Sequence, residues 1–182
     1  MDRPLISAFI AQSLDGFIAT DDNSIDWLTA AAAPDEDYGF DAFLEQVDVI
    51  VMGRGTYEFI KDVEHLPYGS RPVHVLTNRP AVARPGFDFY ARNPDDAVRH
   101  WADGGFSHVY IDGGNVISQF LGRGLVDRMT ITTAPILLGS GKRLFHRTGR
   151  STLLRLERSV TFPSGMTQAE YHLRHEAPDI LR

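Results

Sequence analysis

Apolar strand-like segments alternate with helical segments along most of this sequence, and this alternation constrains the fold more than any other feature. Strand-like runs occupy residues 5–14, 49–52, 71–80, 87–91, 108–112 and 126–139. Two further runs, 153–162 and 166–173, flank Pro163-Ser164-Gly165, which is typical of a hairpin turn. This order predicts an α/β fold with a mixed sheet, flanking helices and a C-terminal β-hairpin.

Helical patterns lie between several of these strands. From Pro34 onward, large apolar residues recur at spacings of two to four behind the acidic Asp35-Glu36-Asp37, which predicts a helix with a negatively charged first turn. Asn93-Pro94-Asp95 is a typical helix start. Residues 15–34 instead mix turn formers with isolated apolar groups, so they are predicted to be a long irregular segment with a functional role.

Length and charge restrict the classes of protein to which the chain can belong. The 182 residues suit one domain, which we place at 1–175, with residues 176–182 as a tail that can fray. The net charge is 18 minus 24, or −6, and no basic stripe is present, so nucleic acid is not an expected partner. No apolar run is long enough to span a membrane. We therefore expect a cytoplasmic protein.

The sequence offers no pattern for thiol or metal chemistry. Cys is absent, which excludes disulfides and Cys-ligated zinc and agrees with a reducing compartment. The seven histidines have neither an H-E-x-x-H motif nor paired metal-ligand spacing on a helix, so no metal is expected. Acyl chemistry on serine is not expected either, because the G-x-S-x-G elbow is missing.

Two apolar strands end in glycine and pass directly into a helix. The first junction is Met52-Gly53-Arg54-Gly55-Thr56, and the second is Ile111-Asp112-Gly113-Gly114-Asn115. A helix N-terminus carries unpaired N–H donors and a partial positive charge, and glycine lets the backbone approach a bound group closely. Two such junctions facing one another could hold a pyrophosphate from both sides.

Either junction alone is more often ordinary tight-turn chemistry. Neither is a G-x-G-x-x-G fingerprint or a Walker loop. Together they favour an anionic nucleotide, because Arg54 and Arg79 each lie just beyond a strand end. Since arginine can bind a phosphate through two parallel hydrogen bonds, which a bare 2′-hydroxyl does not require, the arginines favour NADPH over NADH.

Four stretches of the chain resemble the dihydrofolate reductase superfamily. They are VIVMGRGTYE, IDGGNVISQFL, the opening strand followed by DGFIA and a later Trp, and APILLGSGKRLF. The last favours the branch that contains the reductase domain of bacterial riboflavin biosynthesis, the RibD C-terminal domain. The resemblance runs from about Leu5 to Leu173. It implies a dihydrofolate-reductase-like three-layer fold, with a central, mixed, mostly parallel twisted sheet of about eight strands, and NADPH lying across the strand ends.

The resemblance also implies where the cofactor binds. The loop from Asp15 to Trp27 is expected to be a mobile flap over the nicotinamide. The implied contacts are Ala11, Ile18 and Ala19 at the nicotinamide; Gly53, Arg54, Gly55 and Thr56 at the adenosine side and pyrophosphate; Thr77, Asn78 and Arg79 at the 2′-phosphate; and Asp112, Gly113, Gly114, Asn115 and Val116 at the far side of the pyrophosphate.

On the substrate side, the resemblance places Asp37 where folate enzymes carry a single helix carboxylate. Asp37 is therefore the candidate for substrate binding and proton supply, although it could equally be a first-turn acid that favours the helix dipole. Thr132 matches a strand threonine that orders this carboxylate. Tyr38 and Asp41 fall where folate enzymes have apolar groups, which suits a more polar substrate. Gly139 belongs to a Gly-Ser-Gly-Lys loop that could bind a substrate phosphate or be a plain surface turn.

The predicted function is an NADPH-dependent reductase that acts on a small polar heterocycle or a ribosylated pyrimidine. It would resemble 5-amino-6-(5-phosphoribosylamino)uracil reductase, although the chain has no deaminase half. The alternatives are dihydrofolate reduction and a non-catalytic NADPH-binding module. The resembled branch suggests a homodimer, for which the exposed side of the final hairpin could supply the interface.

Overall fold

A computed structural model describes residues 3–79 and 84–174, and its centre is an eight-stranded sheet in the order β5-β4-β3-β6-β1-β7-β10-β9. A short pair, β2 and β8, lies outside this sheet. The strands are β1 (Leu5–Ser13), β2 (Phe17–Ala19), β3 (Val49–Gly53), β4 (Val73–Leu76), β5 (Phe87–Tyr90), β6 (His108–Asp112), β7 (Arg128–Ala134), β8 (Lys142–Arg143), β9 (Leu153–Thr161) and β10 (Thr167–Arg174). The helices are α1 (Asp26–Ala31), α2 (Phe40–Leu44), α3 (Arg54–Ile60), α4 (Pro94–Asp103) and α5 (Gly114–Gly122).

The sheet is mostly parallel. Strands β5, β4, β3, β6, β1 and β7 run in the same direction, and only β10 and β9 are antiparallel to their neighbours. The predicted mixed sheet and C-terminal hairpin are thus confirmed. Because the six parallel strands share a direction, their carboxyl ends meet along one edge, where ligands bind in open α/β sheets.

Helices cover both faces of the sheet, as the predicted three layers require. Alternate residues of β3 separate into two cores: Val49 and Val51 pack with α4 and α5, whereas Ile50 and Met52 pack with α2 and α3. This separation follows from the two-residue period of a strand. The predicted start of α4 is confirmed, since the Asn93 side chain caps the helix by accepting a hydrogen bond from the backbone N–H of Asp96 at 3.0 Å.

Two expectations about the elements differ from the structure, and a third falls outside the described residues. The helix predicted from Pro34 is wrong at its start: residues 34–39 are not helical, and α2 begins at Phe40 after Gly39, whose φ of 78° interrupts a right-handed helix. The segment 15–34, predicted to be irregular, contains β2 and α1. The tail predicted at 176–182 lies outside the described residues. Within those residues, no helix is long and apolar enough to cross a membrane.

A buried histidine lies in β4, away from the carboxyl edge. The side chain of His74 is 4% exposed, and its Nδ1 accepts a hydrogen bond from Trp101 Nε1 at 3.0 Å. Burial lowers the pKa of His74 to about 4, and this effect exceeds the opposing effect of Asp88, whose Oδ2 lies 4.0 Å from Nε2; nearby His100 lowers it further. The imidazole is therefore neutral in the folded protein near neutral pH.

This histidine should make the protein acid-sensitive. Because the pKa is depressed on folding, the unfolded chain binds the proton first, and stability is lost as pH falls from 6.5 towards 4. The shift from 6.5 to about 4 corresponds to about 3 kcal/mol at pH values below 4. Urea unfolding at several pH values should show that His74→Gln lacks this loss. The exposed control His65→Gln should keep it, and equal pH dependence in wild type and His74→Gln would contradict the prediction.

Candidate functional site

A cavity of about 1120 Å³ opens over the carboxyl ends of the parallel strands. This exceeds the usual volume of about 300–1,000 Å³ for a site that holds one small ligand. The residues in the middle of β1 are only half-buried because they face this cavity. The predicted site residues that line it are Ala11, Ile18, Ala19, Tyr38, Gly53, Arg54, Gly55, Thr56, Thr77, Asn78, Arg79, Asp112, Gly113, Gly114, Asn115, Val116 and Thr132.

Three predicted substrate residues are not among those that line the cavity. Asp37 is exposed, and its Oδ1 accepts a hydrogen bond from the backbone N–H of Gly39 at 2.7 Å, so it serves the turn before α2. Asp41 is exposed on α2. Gly139 is exposed and donates its N–H to Asp15 Oδ2 at 2.8 Å. The assignment of Asp37 as the carboxylate in the site is therefore corrected, because the helix that would present it begins only at Phe40.

At the first glycine junction, the fold itself does not require Gly55 to be glycine, whereas a Cβ on Gly53 would lie 3.2 Å from Val116 Cγ2. Gly53 precedes α3 in an extended conformation, and Gly55 lies in the first turn of α3. A Cβ on Gly55 would meet no atom within 4 Å, so the space above it is open. Since glycine weakens a helix by about 1 kcal/mol relative to alanine, its presence facing the cavity suits close approach of a ligand. Arg54 lies beside it, with Nη2 3.1 Å from Glu58 Oε1.

The second junction, by contrast, requires both of its glycines. Gly113 has a φ of 88°, and a Cβ there would lie 2.5 Å from Thr56 Oγ1 of the first junction. A Cβ on Gly114 would lie less than 3.0 Å from the carbonyl oxygens of both Arg143 and Leu144. The two junctions are thus in contact, and the start of α5 packs against the segment after β7.

The charge of the cavity is opposite to that of the chain. Among the described residues, its basic lining side chains are Arg54, Arg79, Arg92, Lys142 and Arg143, and its only carboxylate is Asp112. The chain as a whole carries −6. A concentration of positive charge in a cleft of an acidic protein indicates an anionic ligand. No group of three or more His, Asp or Glu side chains in the described part of the chain could hold a metal ion.

Asp112 lies at the end of β6 and is half-buried in the cavity wall. Burial raises its pKa to about 6, although hydrogen bonds, among them one from the backbone N–H of Gly113 to Oδ1 at 2.8 Å, act in the opposite direction. Carboxyl groups with raised pKa values in clefts are candidates for proton transfer. Sequence reasoning assigned Asp112 only to the cofactor, because burial cannot be read from a strand-end position.

At the β7 end of the cavity, Thr132 contacts a residue that the sequence analysis missed. Gln168 on β10 lies directly opposite Thr132, and its Nε2 donates to Thr132 Oγ1 and to the Tyr38 carbonyl oxygen, both at 2.9 Å. The predicted partner of Thr132 was the Asp37 carboxylate, so this expectation was wrong. The sequence carried a signal for this contact. Gln168 lies two residues after Met166, so their side chains lie on the same face of the extended chain, and an amide beside a buried apolar residue requires a hydrogen-bond partner.

The segment predicted to be a flap is joined to the segment that follows β7. The Asp15 carboxylate accepts hydrogen bonds from the backbone N–H groups of Leu138 and Gly139 at 3.1 and 2.8 Å. Strand β2 pairs with β8, and Gly141 packs so closely that a Cβ there would lie under 3.0 Å from the Ala19 carbonyl oxygen. The segment therefore closes one side of the cavity, while its predicted mobility stays a prediction.

Similar proteins share this architecture. YwjB of Bacillus subtilis (strain 168), an uncharacterized protein, is 34% identical over 169 residues, covering 89% of this chain and 94% of YwjB. The riboflavin biosynthesis protein RibD of Corynebacterium ammoniagenes is 31% identical over 156 residues, or 76% of this chain and 45% of RibD. A crystal structure from Shewanella sp. PV-4, of a protein described as a riboflavin biosynthesis protein, superposes with a TM-score of 0.87 at 36% identity, covering 93% of this chain and 99% of that one.

These similarities confirm the fold and the predicted branch of the superfamily. The match to RibD spans less than half of that protein, whereas the matches to YwjB and to the Shewanella structure span nearly their full lengths. A sequence model of the RibD C-terminal domain also matches residues 4–168, which include every lining residue discussed above. The chain therefore belongs to the RibD C-terminal domain family.

Proposed function

We propose that the protein is an NADPH-dependent reductase that transfers hydride to a C=N or C=O group of a small polar heterocycle, of the class of ribosylated aminopyrimidines. The observation that carries the proposal is the basic cavity at the strand ends, which contains two glycine–helix junctions and a single carboxylate among its described lining residues. Membership of a family that includes the C-terminal part of RibD supports the substrate class.

The residues present suit a dinucleotide. Gly55 leaves open space for backbone-to-phosphate contact, and the N-terminus of α5 faces the first junction across the contact between Gly113 and Thr56. Arg54, in the first junction, also lines the cavity and would bind the pyrophosphate. Arg79 lies near the end of β4 and Arg92 just after β5, where they would bind a 2′-phosphate.

The chemistry requires a hydride and a proton. NADPH held at the two glycine junctions would supply the hydride for the carbon of the C=N or C=O group, and the nitrogen or oxygen of that group would then require a proton. The carboxyl of Asp112 gives its proton to that atom and is later reprotonated from water. The cavity walls hold the two ligands together and exclude water during transfer. Asp112 suits this role because its pKa of about 6 leaves a protonated fraction near neutral pH.

We expect NADPH to bind more tightly than NADH. Two arginines should contact different parts of the nucleotide, Arg79 the 2′-phosphate and Arg54 the pyrophosphate. Arg79→Ala should weaken NADPH binding about tenfold and leave NADH unchanged, since a charge-assisted hydrogen bond to the 2′-phosphate is lost. Arg54→Ala should weaken both nucleotides about equally, because both carry a pyrophosphate. Quenching of tryptophan fluorescence on titration with each nucleotide measures the six dissociation constants of wild type and the two variants.

The matched control for this experiment is Arg99→Ala. Arg99 is exposed on α4, is paired with Asp96 and does not line the cavity, so its loss should change neither affinity. If wild type binds neither NADPH nor NADH, the reductase proposal is wrong. If Arg79→Ala weakens both nucleotides alike, the 2′-phosphate lies elsewhere in the cavity.

We also infer that two copies associate through β9. This strand is the edge of the main sheet, and nearly all of its residues are exposed on both faces. Leu154 and Leu156 are 42% and 54% exposed. Open edge strands bearing apolar side chains tend to pair with a second chain. Homodimerisation through β9 would leave the cavity open, since no residue of this strand lines it.

A further inference from the structure

The cavity has an apolar part as well as a basic one. The apolar part, here called the apolar wall, is lined by Phe9, Phe40, Phe59, Ile60, Tyr68 and Tyr110. All of these except Phe59 belong to, or pack against, the core on the sheet face that α2 and α3 cover. The ring centroids of Phe9 and Phe40 are 5.3 Å apart, and those of Phe40 and Tyr110 are 6.1 Å apart. The wall is therefore largely a surface of packed aromatic rings.

Apolar side chains are also exposed where the cavity opens. Phe59 on α3 is 43% exposed, and Ile25, just before α1, is 37% exposed; both line the cavity. Leu28 of α1 lines it as well. Because a ligand that covers such side chains removes apolar surface from water, they favour a part of the ligand that presents C–H groups.

Several basic side chains of the cavity lie on the opposite face of the sheet. Lys142, Arg143 and His146 belong to the segment at β8, and Leu144 of the same segment packs in the core with α4 and α5. The guanidinium carbon of Arg143 lies 4.6 Å from the centroid of the Phe17 ring. These groups therefore lie with β2 and the start of α5, rather than with the apolar wall.

The remaining basic side chains are also placed away from the wall. Arg79 and Arg92 follow β4 and β5, the two strands at one edge of the sheet. Arg54 begins α3, and its Nη2 lies 3.1 Å from Glu58 Oε1. Among the described lining residues, no basic side chain comes from α1, from α2 or from α3 beyond its first residue.

The single carboxylate of the described lining faces the apolar wall. Asp112 and Tyr110 are two residues apart on β6, so their side chains lie on the same face of that strand. Burial raises the pKa values of Tyr68 and Tyr110, and the charge of Asp112 raises both further. The carboxylate is thus close to both phenol groups. A phosphate at this wall would meet a group of its own charge and none of opposite charge.

We infer that the substrate is an unphosphorylated ribosylated aminopyrimidine, whose neutral sugar packs through its C–H groups against the apolar wall. This inference rests on the proposed function and narrows its substrate. It departs from the phosphoribosyl substrate that the resemblance to RibD implies, because a sugar phosphate would lose hydration here without gaining a charged partner. If the precursor is a sugar phosphate, hydrolysis of its phosphomonoester must come before the reduction.

Two probes that differ only in a phosphate test the inference. They are 5-amino-6-(ribitylamino)uracil and its 5′-phosphate, titrated at pH 8 into the protein saturated with NADP⁺. Wild type should bind the unphosphorylated probe about tenfold more tightly, since the phosphate dianion loses hydration and is repelled by the Asp112 carboxylate. Asp112→Asn should reduce this preference without reversing it, because the amide removes the repulsion and leaves the apolar wall unchanged.

A cation introduced into the wall should reverse the preference. Phe59→Arg supplies a guanidinium that can bind phosphate through two hydrogen bonds, so the phosphorylated probe should gain at least about tenfold in affinity. Ile25→Arg is a second, independent variant and should shift the preference in the same direction. The matched control is Phe145→Arg: Phe145 is 42% exposed and does not line the cavity, so the preference should stay as in wild type.

The outcomes distinguish this inference from the proposed function. A wild-type preference for the phosphorylated probe would overturn the inference and leave the reductase proposal standing. An unchanged preference in both Phe59→Arg and Ile25→Arg would do the same, because the sugar would then lie away from the apolar wall. Failure to bind either probe while NADPH still binds would also overturn the inference. Failure of wild type to bind either NADPH or NADH would overturn both.

Discussion

Asp112→Asn should lower kcat by about two to four orders of magnitude while NADPH still binds, because general acid catalysis typically contributes that much. Asparagine keeps the size of the side chain and can keep a hydrogen bond from the Gly113 N–H, but it has no proton to give. Burial raises the pKa of this carboxyl to about 6, so the proposed acid would keep a protonated fraction near neutral pH.

The pH profile gives an independent check of the same role. As pH rises through about 6, the carboxyl loses its proton, so wild-type kcat should fall on the alkaline side and Asp112→Asn should show no such fall. Asp103→Asn, the same replacement at an exposed position at the end of α4, should change neither kcat nor its pH dependence. Undiminished kcat in Asp112→Asn would remove Asp112 from the reaction.

Gly114→Ala should reduce the free energy of unfolding by about 4 kcal/mol, near the upper limit for single substitutions. The added methyl group would lie less than 3.0 Å from two backbone carbonyl oxygens, those of Arg143 and Leu144, and neither is the free end of a flexible side chain. Either α5 or the segment at 143–144 must shift, and both line the cavity. NADPH affinity should therefore fall together with stability in urea unfolding and nucleotide titration.

Gly55→Ala is the matched control, because it adds the same methyl group at the other junction. A Cβ there meets nothing within 4 Å, and alanine is the better helix former by about 1 kcal/mol, so stability should be unchanged or slightly higher. NADPH affinity should nevertheless fall if phosphate approaches this backbone. A Gly114→Ala protein as stable as wild type would mean that the close packing of α5 against residues 143–144 is absent.

The elements of the main sheet could be predicted because their sequences carry local signals. The run Val49–Met52 is apolar at every position, as strands buried on both faces are, and Asn93 with Pro94 marks the start of α4. A strand end and a helix start can both be recognised in a sequence. The glycines after β3 and β6 therefore predicted one wall of the cavity. The resemblance to a known family added the direction in which a nucleotide would lie.

The substrate side could not be predicted as well, because it depends on contacts between distant segments. Asp37 was chosen by counting back from Gly53, but Gly39 interrupts the helix that would have carried it. The partner of Thr132 comes from β10, 36 residues along the chain, and becomes visible only when the strands pair. Burial of Asp112, which raises its pKa, likewise depends on the packing of other segments around β6, which lies between β3 and β1.

The segment from Gly141 to His146 touches both ends of the cavity. On one side, it pairs with β2 and packs against the Ala19 carbonyl. On the other, its carbonyl groups meet Gly114 at the start of α5, and one turn further along that helix Ser118 Oγ accepts from the His146 N–H at 2.9 Å. Any displacement that lifts β2 away from the cavity also strains the backbone beside the N-terminus of α5. For the proposed reductase, release of a spent nucleotide and uncovering of the reacting end would then be one concerted event, and the rate of that event would set an upper limit on turnover.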